Sequence, residues 1–378
     1  MNRREFLKKS SLAALASFSI AKLACTTKPS PPNILFAISD DQSWPHTGAY
    51  GCEFVKTPAF DRVANEGALF NNVFVSAPQC SPNRASILTG RHIWQNEEAG
   101  THASLFPRKL QVFTDELENA GYTIGYTGKP WGPGDWQRSG WERNPAGPAY
   151  NDIKYDEPPQ EGIRNLNYTA NFEAFLRQKD KDKPFFFWYG ASDKKLENVT
   201  VPAFLPDDPE IRSDMLDYAV EIEWFDSHLE KMLNVLEERG ELDNTLIVVT
   251  SDNGMPFPRA KANLYEYGIH MPFAARWGDK IKAGRSVDDL ISFIDLAPTF
   301  LDAAGVEAPK MMRGKSFLNL LRSNKSGQID PERKAIFSGR ERHTHARPDN
   351  LAYPSRCIRT DQYLYIWNVK PDRWPAGN

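Results

Sequence analysis

Three short, uninterrupted apolar runs stand out along the chain: Asn33-Ile-Leu-Phe-Ala-Ile38, Phe185-Phe-Phe-Trp-Tyr189 and Thr245-Leu-Ile-Val-Val-Thr250. Each is bounded by polar or glycine residues and lacks polar alternation, so each reads as a strand buried on both faces. The first ends in Ser39-Asp40-Asp41, the second in Gly190, and the third in Ser251-Asp252-Asn253-Gly254. A fourth β-like run, Tyr122 to Tyr126, leads into Thr127-Gly128-Lys129. Between these runs the spacing becomes helical. Ser213 to Glu238 carries Leu216, Val220, Leu229, Leu233 and Leu236 as an apolar stripe with Gly240 as a stop, and Thr114 to Ala120 is closed by Gly121. Strands alternating with helices predict an α/β fold, a large and mostly parallel sheet flanked by helices. Ligands of such sheets gather at the carboxyl ends of the strands, and two strands here release acidic or amide oxygens at that end.

From Ala335 onward the pattern changes, and Ala335 to Ser338 and Gln362 to Val369 predict strands of a smaller antiparallel unit. The chain then stops at Asn378 in a stretch containing Pro, Gly and Trp, which leads to the expectation of an incomplete C-terminal subdomain. The predicted organisation is residues 1–30 as export signal and linker, 31–330 as the α/β domain with the site, and 331–378 as the start of the subdomain.

At the N-terminus, MNRREFLKKS is followed by an apolar stretch, Leu12 to Ala24, too short to span a bilayer as a mature helix. Arg3-Arg4 with Phe6, Leu7 and Lys8 resembles a twin-arginine export signal, and Leu23-Ala24-Cys25 resembles an imperfect lipoprotein cleavage site. The expected location is therefore periplasmic or outer-surface, with a lipid anchor on Cys25 as an option. The net charge of −3 over 378 residues gives no general reason to expect nucleic acid as a partner. Only Cys52, Cys80 and Cys357 follow the leader, too few for a disulfide framework, and no CxxC or His/Cys cluster points to structural zinc.

The segment Cys80-Ser81-Pro82-Asn83-Arg84, followed by Ala85-Ser-Ile-Leu-Thr-Gly90, carries the most specific chemistry. It reads as a cysteine at the mouth of a helix, with Ser81 as a cap, Pro82 in the first turn and Arg84 one turn later. Helix N-terminus and guanidinium together favour an anion such as sulfate or phosphate. On these grounds alone, an anion-facing nucleophile and a buried structural cysteine stand level. Asp40, Asp41, Asp252 and Asn253 offer only oxygen, which suits a hard cation such as Ca²⁺.

The pattern Cys-x-Pro-x-Arg with the following Thr-Gly resembles the signature of the sulfatase family, and the resemblance runs from about Asn33 to the last residue. It implies an alkaline-phosphatase-like fold and conversion of Cys80 to formylglycine by a maturation enzyme. One hydroxyl of the aldehyde hydrate attacks sulfur and the other later expels sulfate. The resemblance also implies one Ca²⁺ held by Asp40, Asp41, Asp252, Asn253 and the modified Cys80. Arg84 would hold the hydrated nucleophile, and Lys129 and Lys261 would balance charge on the sulfuryl oxygens. Related phosphatases carry Asp-His after the strand where this chain has Asp252-Asn253, and use zinc. Within the family, Ser251 to Pro258, Asn263-Leu-Tyr265, Gly339-Arg-Glu-Arg-His343 and Tyr353-Pro-Ser-Arg356 are similar to the N-sulfoglucosamine sulfohydrolase (heparan sulfamidase) group. That likeness implies a sulfated carbohydrate substrate, with His102, Arg340, Arg342, His343 and His345 toward an anionic sugar. Two features depart from the family. Pro130 and Trp131 stand where a histidine usually follows the Gly-Lys turn, and Gly190-Ala-Ser-Asp-Lys-Lys195 runs on without the usual histidine-bearing loop. These departures keep open a catalytically impaired protein that binds sulfated glycans; a third reading, a phosphoester hydrolase on the same scaffold, is one that Asn253 argues against.

Overall fold

Seven strands form the central sheet of the computed structural model, which describes residues 31–158, 163–191, 204–345 and 347–373. They are β1 (Asn33–Ser39), β2 (Ala68–Phe70), β3 (Thr123–Gly128), β4 (Phe185–Gly190), β5 (Thr245–Ser251), β6 (Phe273–Arg276) and β7 (Arg285–Val287). Their spatial order is β7-β2-β6-β5-β1-β4-β3, and only β6 runs antiparallel to its neighbours. The four strands expected from the apolar runs are thus the contiguous half of the sheet, β5-β1-β4-β3, all parallel.

Every residue of β1 and β5 is buried, because helices cover both faces. Ile34, Phe36 and Ile38 point into one core cluster with Phe113, Phe186, Trp188 and Phe300. Leu35 and Ala37 point into the other, with Phe172, Phe187, Phe225 and Leu229. The flanking helices are α1 (Pro58–Glu66), α2 (Cys80–Thr89), α3 (Phe113–Asn119), α4 (Tyr168–Gln178), α5 (Pro209–Glu238) and α6 (Leu296–Ala303). Helix α5 starts at Pro209 rather than at Ser213. Asp208 caps it by accepting the Glu210 N–H at 2.9 Å, and Pro209 needs no partner for a missing N–H. The apolar stripe marks only where this helix begins to be buried.

The C-terminal residues form an antiparallel sheet of β8 (Ile336–Arg340), β9 (Ser355–Arg359) and β10 (Leu364–Asn368), in that order. The outer two match the strands expected from sequence. Strand β9 was not legible because Arg356 and Arg359 break its apolar pattern. All of these elements belong to the unit that begins at Pro32, and residues 1–30, expected from sequence to be an export signal and linker with Cys25, lie outside the described residues. Among the described residues no helix is long and apolar enough to cross a membrane.

Candidate active site

Strand register places the acidic residues side by side. Ser39 of β1 pairs with Ser251 of β5, so Asp40-Asp41 and Asp252-Asn253 leave adjacent strand ends together. The turn after β1 is tied to its neighbour: Asp41 N–H donates to Asp252 Oδ1 at 3.1 Å and Gln42 N–H to Ser251 Oγ at 2.8 Å. Asp41 takes a left-handed conformation (φ 57°), which short polar side chains such as Asp tolerate better than most.

Helix α2 brings the cysteine to this edge. It begins at Cys80 itself, with Gln79 in the capping position, so Ser81 lies inside the first turn and does not cap. Ser81 anchors the helix sideways: its Oγ accepts the Ala103 N–H and its carbonyl accepts Trp131 Nε1–H, both at 3.1 Å. Gly90 closes the helix in the left-handed conformation (φ 61°). Cys80 Sγ lies 3.8 Å from Asp40 Oδ1 and 4.0 Å from Asp41 Oδ1.

Arg84, one turn on, is wholly buried and organises the edge. Its Nε donates to Asp252 Oδ2 at 2.8 Å, and its Nη1 to the carbonyls of Lys129 and Pro130 at 2.6 and 3.0 Å. Its Nη2, 3.9 Å from Asp40 Oδ1, has no hydrogen-bond partner among the described residues. Asn83 was not singled out from sequence, yet its Nδ2 donates to the Asp252 carbonyl at 2.7 Å and its Oδ1 accepts the Ser76 N–H at 3.0 Å. It occupies a variable position of Cys-x-Pro-x-Arg, so the pattern itself carries no signal for it.

The two lysines reach the same point from different loops. Gly128 and Gly190 pair across β3 and β4, and Lys129 N–H donates to the Gly190 carbonyl at 2.8 Å. Gly190 also stands opposite Ile38 of β1. Having no side chain, it lets Lys129 cross to Asp40, where Nζ donates to both carboxylate oxygens at 2.6 and 2.7 Å. A methyl group at position 190 would collide with the Lys129 carbonyl. Lys261 is turned inward by its N–H bond to the Met255 carbonyl (3.0 Å), and its Nζ pairs with Asp41 Oδ2.

These charges shape one another. Burial alone would push the Asp40 carboxyl up, but Lys129, Arg84 and Lys261 outweigh it and hold the group far below the usual carboxylate range. Burial and the neighbouring Asp40 raise Asp41. Burial, then Asp40, push Asp252 up to about 6. Burial pushes the Cys80 thiol up to about 12, so the unmodified side chain is a neutral thiol near pH 7 rather than a thiolate nucleophile.

Donor atoms of Asp40, Asp41, Cys80 and Asp252 lie within 4.8 Å of one another. Asn253 adds a further observation: its Nδ2 donates to Asp41 Oδ1 at 2.6 Å, while its buried Oδ1 has no hydrogen-bond partner among the described residues. Carboxylate oxygens with one orphaned amide oxygen fit a hard divalent cation. The thiol sulfur is the misfit in this set.

His102, Arg340 and His343 come together at the flank of α2, where strand β8 ends. The His102 and His343 rings are 4.3 Å apart. His102 Nδ1 contacts the His343 carbonyl at 3.0 Å. A carbonyl only accepts, so Nδ1 carries the proton and Nε2 is the free acceptor. Burial brings both histidines down to about 4, leaving them neutral near pH 7. Arg340 is buried at the end of β8, and the exposed His345 lies beyond it. Trp131 is buried with its indole on the α2 backbone, which explains physically how the position after the Gly-Lys turn is filled. The loop expected to lack a histidine, from Ser192 onward, lies outside the described residues.

A cysteine at a buried helix mouth, facing a carboxylate and amide cluster at parallel strand ends and flanked by Arg84 and two lysines, defines an anion-processing site on an α/β scaffold. Residues 32–306 match the family model for Sulfatase, and residues 259–375 match that for N-sulphoglucosamine sulphohydrolase, C-terminal. The chain belongs to the sulfatase family. It is 29% identical over 349 residues to an ulvan-active sulfatase of Formosa agariphila, which covers 89% of this chain and 66% of that protein. The chain thus spans slightly less than two thirds of that relative's length. It is 27% identical over 398 residues to the N-sulphoglucosamine sulphohydrolase of Homo sapiens, covering 90% and 74% of the two chains. A solved protein in complex with its substrate D-glucosamine-2-N,6-O-disulfate shares the fold, with TM-score 0.68, 22% identity, and coverage of 91% of this chain and 92% of that one.

Proposed function

We propose that this protein hydrolyses a sulfate ester or sulfamate on a sulfated carbohydrate, using a formylglycine made from Cys80 and one bound Ca²⁺. The observation that carries this reading is Cys80 at the mouth of α2, about one van der Waals contact from the Asp40 and Asp41 carboxylates. As a thiol, Cys80 is both too weakly acidic to attack and too soft for a hard cation. Formylglycine would supply a hydrated carbonyl, an oxygen nucleophile that removes both difficulties. Ca²⁺ would be held by Asp40, Asp41, Asp252, Asn253 and that oxygen, and would lend positive charge to a sulfuryl oxygen.

The remaining work falls to side chains already in place. Arg84 holds Asp252 through Nε and keeps Nη2 for the nucleophile's oxygen. Lys129 and Lys261 balance charge on the sulfuryl group as it leaves. His102, with Nδ1 fixed, presents Nε2 to a substrate hydroxyl or amine. Arg340 and His343 face the sugar. Family relatives named for ulvan and for N-sulphoglucosamine, and the disulfated sugar bound by a protein of the same fold, support the substrate class. The charged stretch Met1 to Ser10 and the apolar run Leu12 to Ala24 support export, with a lipid anchor on Cys25 as an option.

The deciding measurement is the mass of the Cys80 peptide from the native host, together with sulfate release from heparin-type sugars. Formylglycine replaces sulfur by oxygen with loss of two hydrogens, and the expected peptide carries that change. An unmodified thiol in a host that matures other sulfatases would sink the nucleophile assignment. The buried Trp131 at a position where relatives carry histidine would then favour binding of sulfated glycans without turnover. A zinc-dependent enzyme preferring phosphate esters would instead support a phosphoester hydrolase.

A further inference from the structure

Helix α2 grips the second acidic pair at two points. Residues 80, 83 and 84 share one face of the helix, being three and four positions apart. Arg84 Nε holds the Asp252 carboxylate at 2.8 Å, while Asn83 Nδ2 donates to the Asp252 main-chain carbonyl at 2.7 Å. Asn83 is wholly buried, and the orientation of its amide is dictated by its partners. The Ser76 N–H can only donate and the Asp252 carbonyl can only accept, so Oδ1 faces the first at 3.0 Å and Nδ2 faces the second.

The carbonyl that Asn83 holds belongs to the peptide joining Asp252 to Asn253. A peptide group is planar, so fixing its oxygen also fixes the direction in which the chain enters Asn253. The Asp252 side chain has other anchors, Arg84 Nε and the Asp41 N–H at 3.1 Å. Those of Asn253 are weaker. Its Nδ2 donates to Asp41 Oδ1 at 2.6 Å, on a carboxylate of the cation cluster, and to the Gly254 carbonyl at 3.0 Å. Its own carbonyl lies 3.2 Å from Ser251 Oγ, whose single hydrogen is also within reach of the Ser39 carbonyl at 3.4 Å. Asn253 Oδ1, buried without a partner among the described residues, is therefore aimed chiefly by the peptide that Asn83 holds.

We propose that Asn83 is a positioning residue for the cation: it holds the Asp252–Asn253 peptide so that Asn253 Oδ1 enters the ligand set, and so sets Ca²⁺ affinity without touching the ion. The inference rests on the Ca²⁺ reading above and adds to it a residue at a variable position of Cys-x-Pro-x-Arg. Asparagine suits the place because it carries a donor and an acceptor at one distance from the helix. Leucine fills nearly the same volume and can make neither bond. Serine is too short to span both partners.

The test is calorimetric titration of the metal-free protein with Ca²⁺, with the unfolding transition of each variant recorded beside it. Asn83→Leu is expected to weaken Ca²⁺ binding about 10-fold or more, and Asn83→Ser to weaken it in the same direction. An Asn253→Ala background separates aim from general damage. There the oxygen to be aimed is gone, and Asn83→Leu adds less than about threefold. Where Asn83→Leu does not fold, Asn83→Ser carries the same comparison. The proposal is overturned if the Asn83 variants bind Ca²⁺ within about threefold of the parent, or if their loss is undiminished in Asn253→Ala. A parent protein that takes up no Ca²⁺ defeats the cation reading and the inference with it. A parent that binds Ca²⁺ no better than its Asn83 variants defeats the inference alone.

Discussion

Arg84→Lys separates the charge of Arg84 from its geometry. The lysine keeps one cation beside Asp252 and Asp40, so the electrostatic balance of the cluster survives in sign. A single ammonium on a shorter chain cannot reach Asp252 Oδ2, the Lys129 carbonyl and the Pro130 carbonyl together, which the guanidinium bonds at 2.8, 2.6 and 3.0 Å. Two carbonyl bonds are lost in a site with no exposure of the arginine. Charge-assisted hydrogen bonds contribute about 1.5–3 kcal/mol each, so the expected loss is roughly 3–5 kcal/mol after some relaxation. The turn carrying Lys129 is also released, and kcat is expected to fall about 10²–10³-fold. Urea unfolding of both proteins with Ca²⁺ present reads the stability, and sulfate release from a common sugar substrate reads the rate. A variant within about 1 kcal/mol of the parent would refute the claim that Arg84 fastens the Gly-Lys turn to the acidic edge.

The other predictions concern separate parts of the molecule. Chelation should abolish sulfate release and Ca²⁺ restore it, while Asn253→His should shift the preference toward zinc; identical metal dependence in the variant would argue against Asn253 as a ligand. Asp226, buried in α5, accepts the N–H groups of Ala59 and Phe60 at the start of α1, and burial pushes its carboxyl up from 3.8 to about 7. The folded protein then holds a proton that the unfolded chain has released, so this stability is fully present below about pH 4 and is lost as pH rises toward 7. The pH-dependent part of the unfolding free energy, roughly 2–3 kcal/mol between pH 5 and 8, should vanish in Asp226→Asn, and parallel pH profiles would exclude Asp226 as its origin. Gly190→Ala should displace the Lys129 carbonyl and lower kcat more than it lowers stability; an unchanged kcat would mean that Lys129 reaches Asp40 without the bare strand end.

Much of the fold and of the site was legible along the chain, because burial on both faces of a parallel sheet writes itself as continuous apolar runs. Asn33 to Ile38 and Thr245 to Thr250 needed no other information, and the residues that end them, Asp40, Asp41, Asp252 and Asn253, were visible for the same reason. Cys80 and Arg84 could be found together because one helical turn links them locally. Features set by long-range pairing were not legible. Strand β9 is half polar and exists only because β8 and β10 flank it. Helix α5 was predicted to start late because its first turn is exposed.

The sequence by itself determined which atoms the site contains: oxygens for a hard cation, a cysteine at a helix mouth, and cations for an anion. Tertiary structure decided what those atoms face. It set Ser39 against Ser251, so that two acidic pairs distant in the chain share one edge. It turned Lys129 over Gly190 onto Asp40, and burial pushed the Cys80 thiol still further above neutrality. It also placed Asn83 against the Asp252 carbonyl, 169 positions apart. Local pattern records the burial and polarity of single positions. Partnership between distant residues arises only when the chain closes around them, and in this protein the charge balance of the site is made at that step.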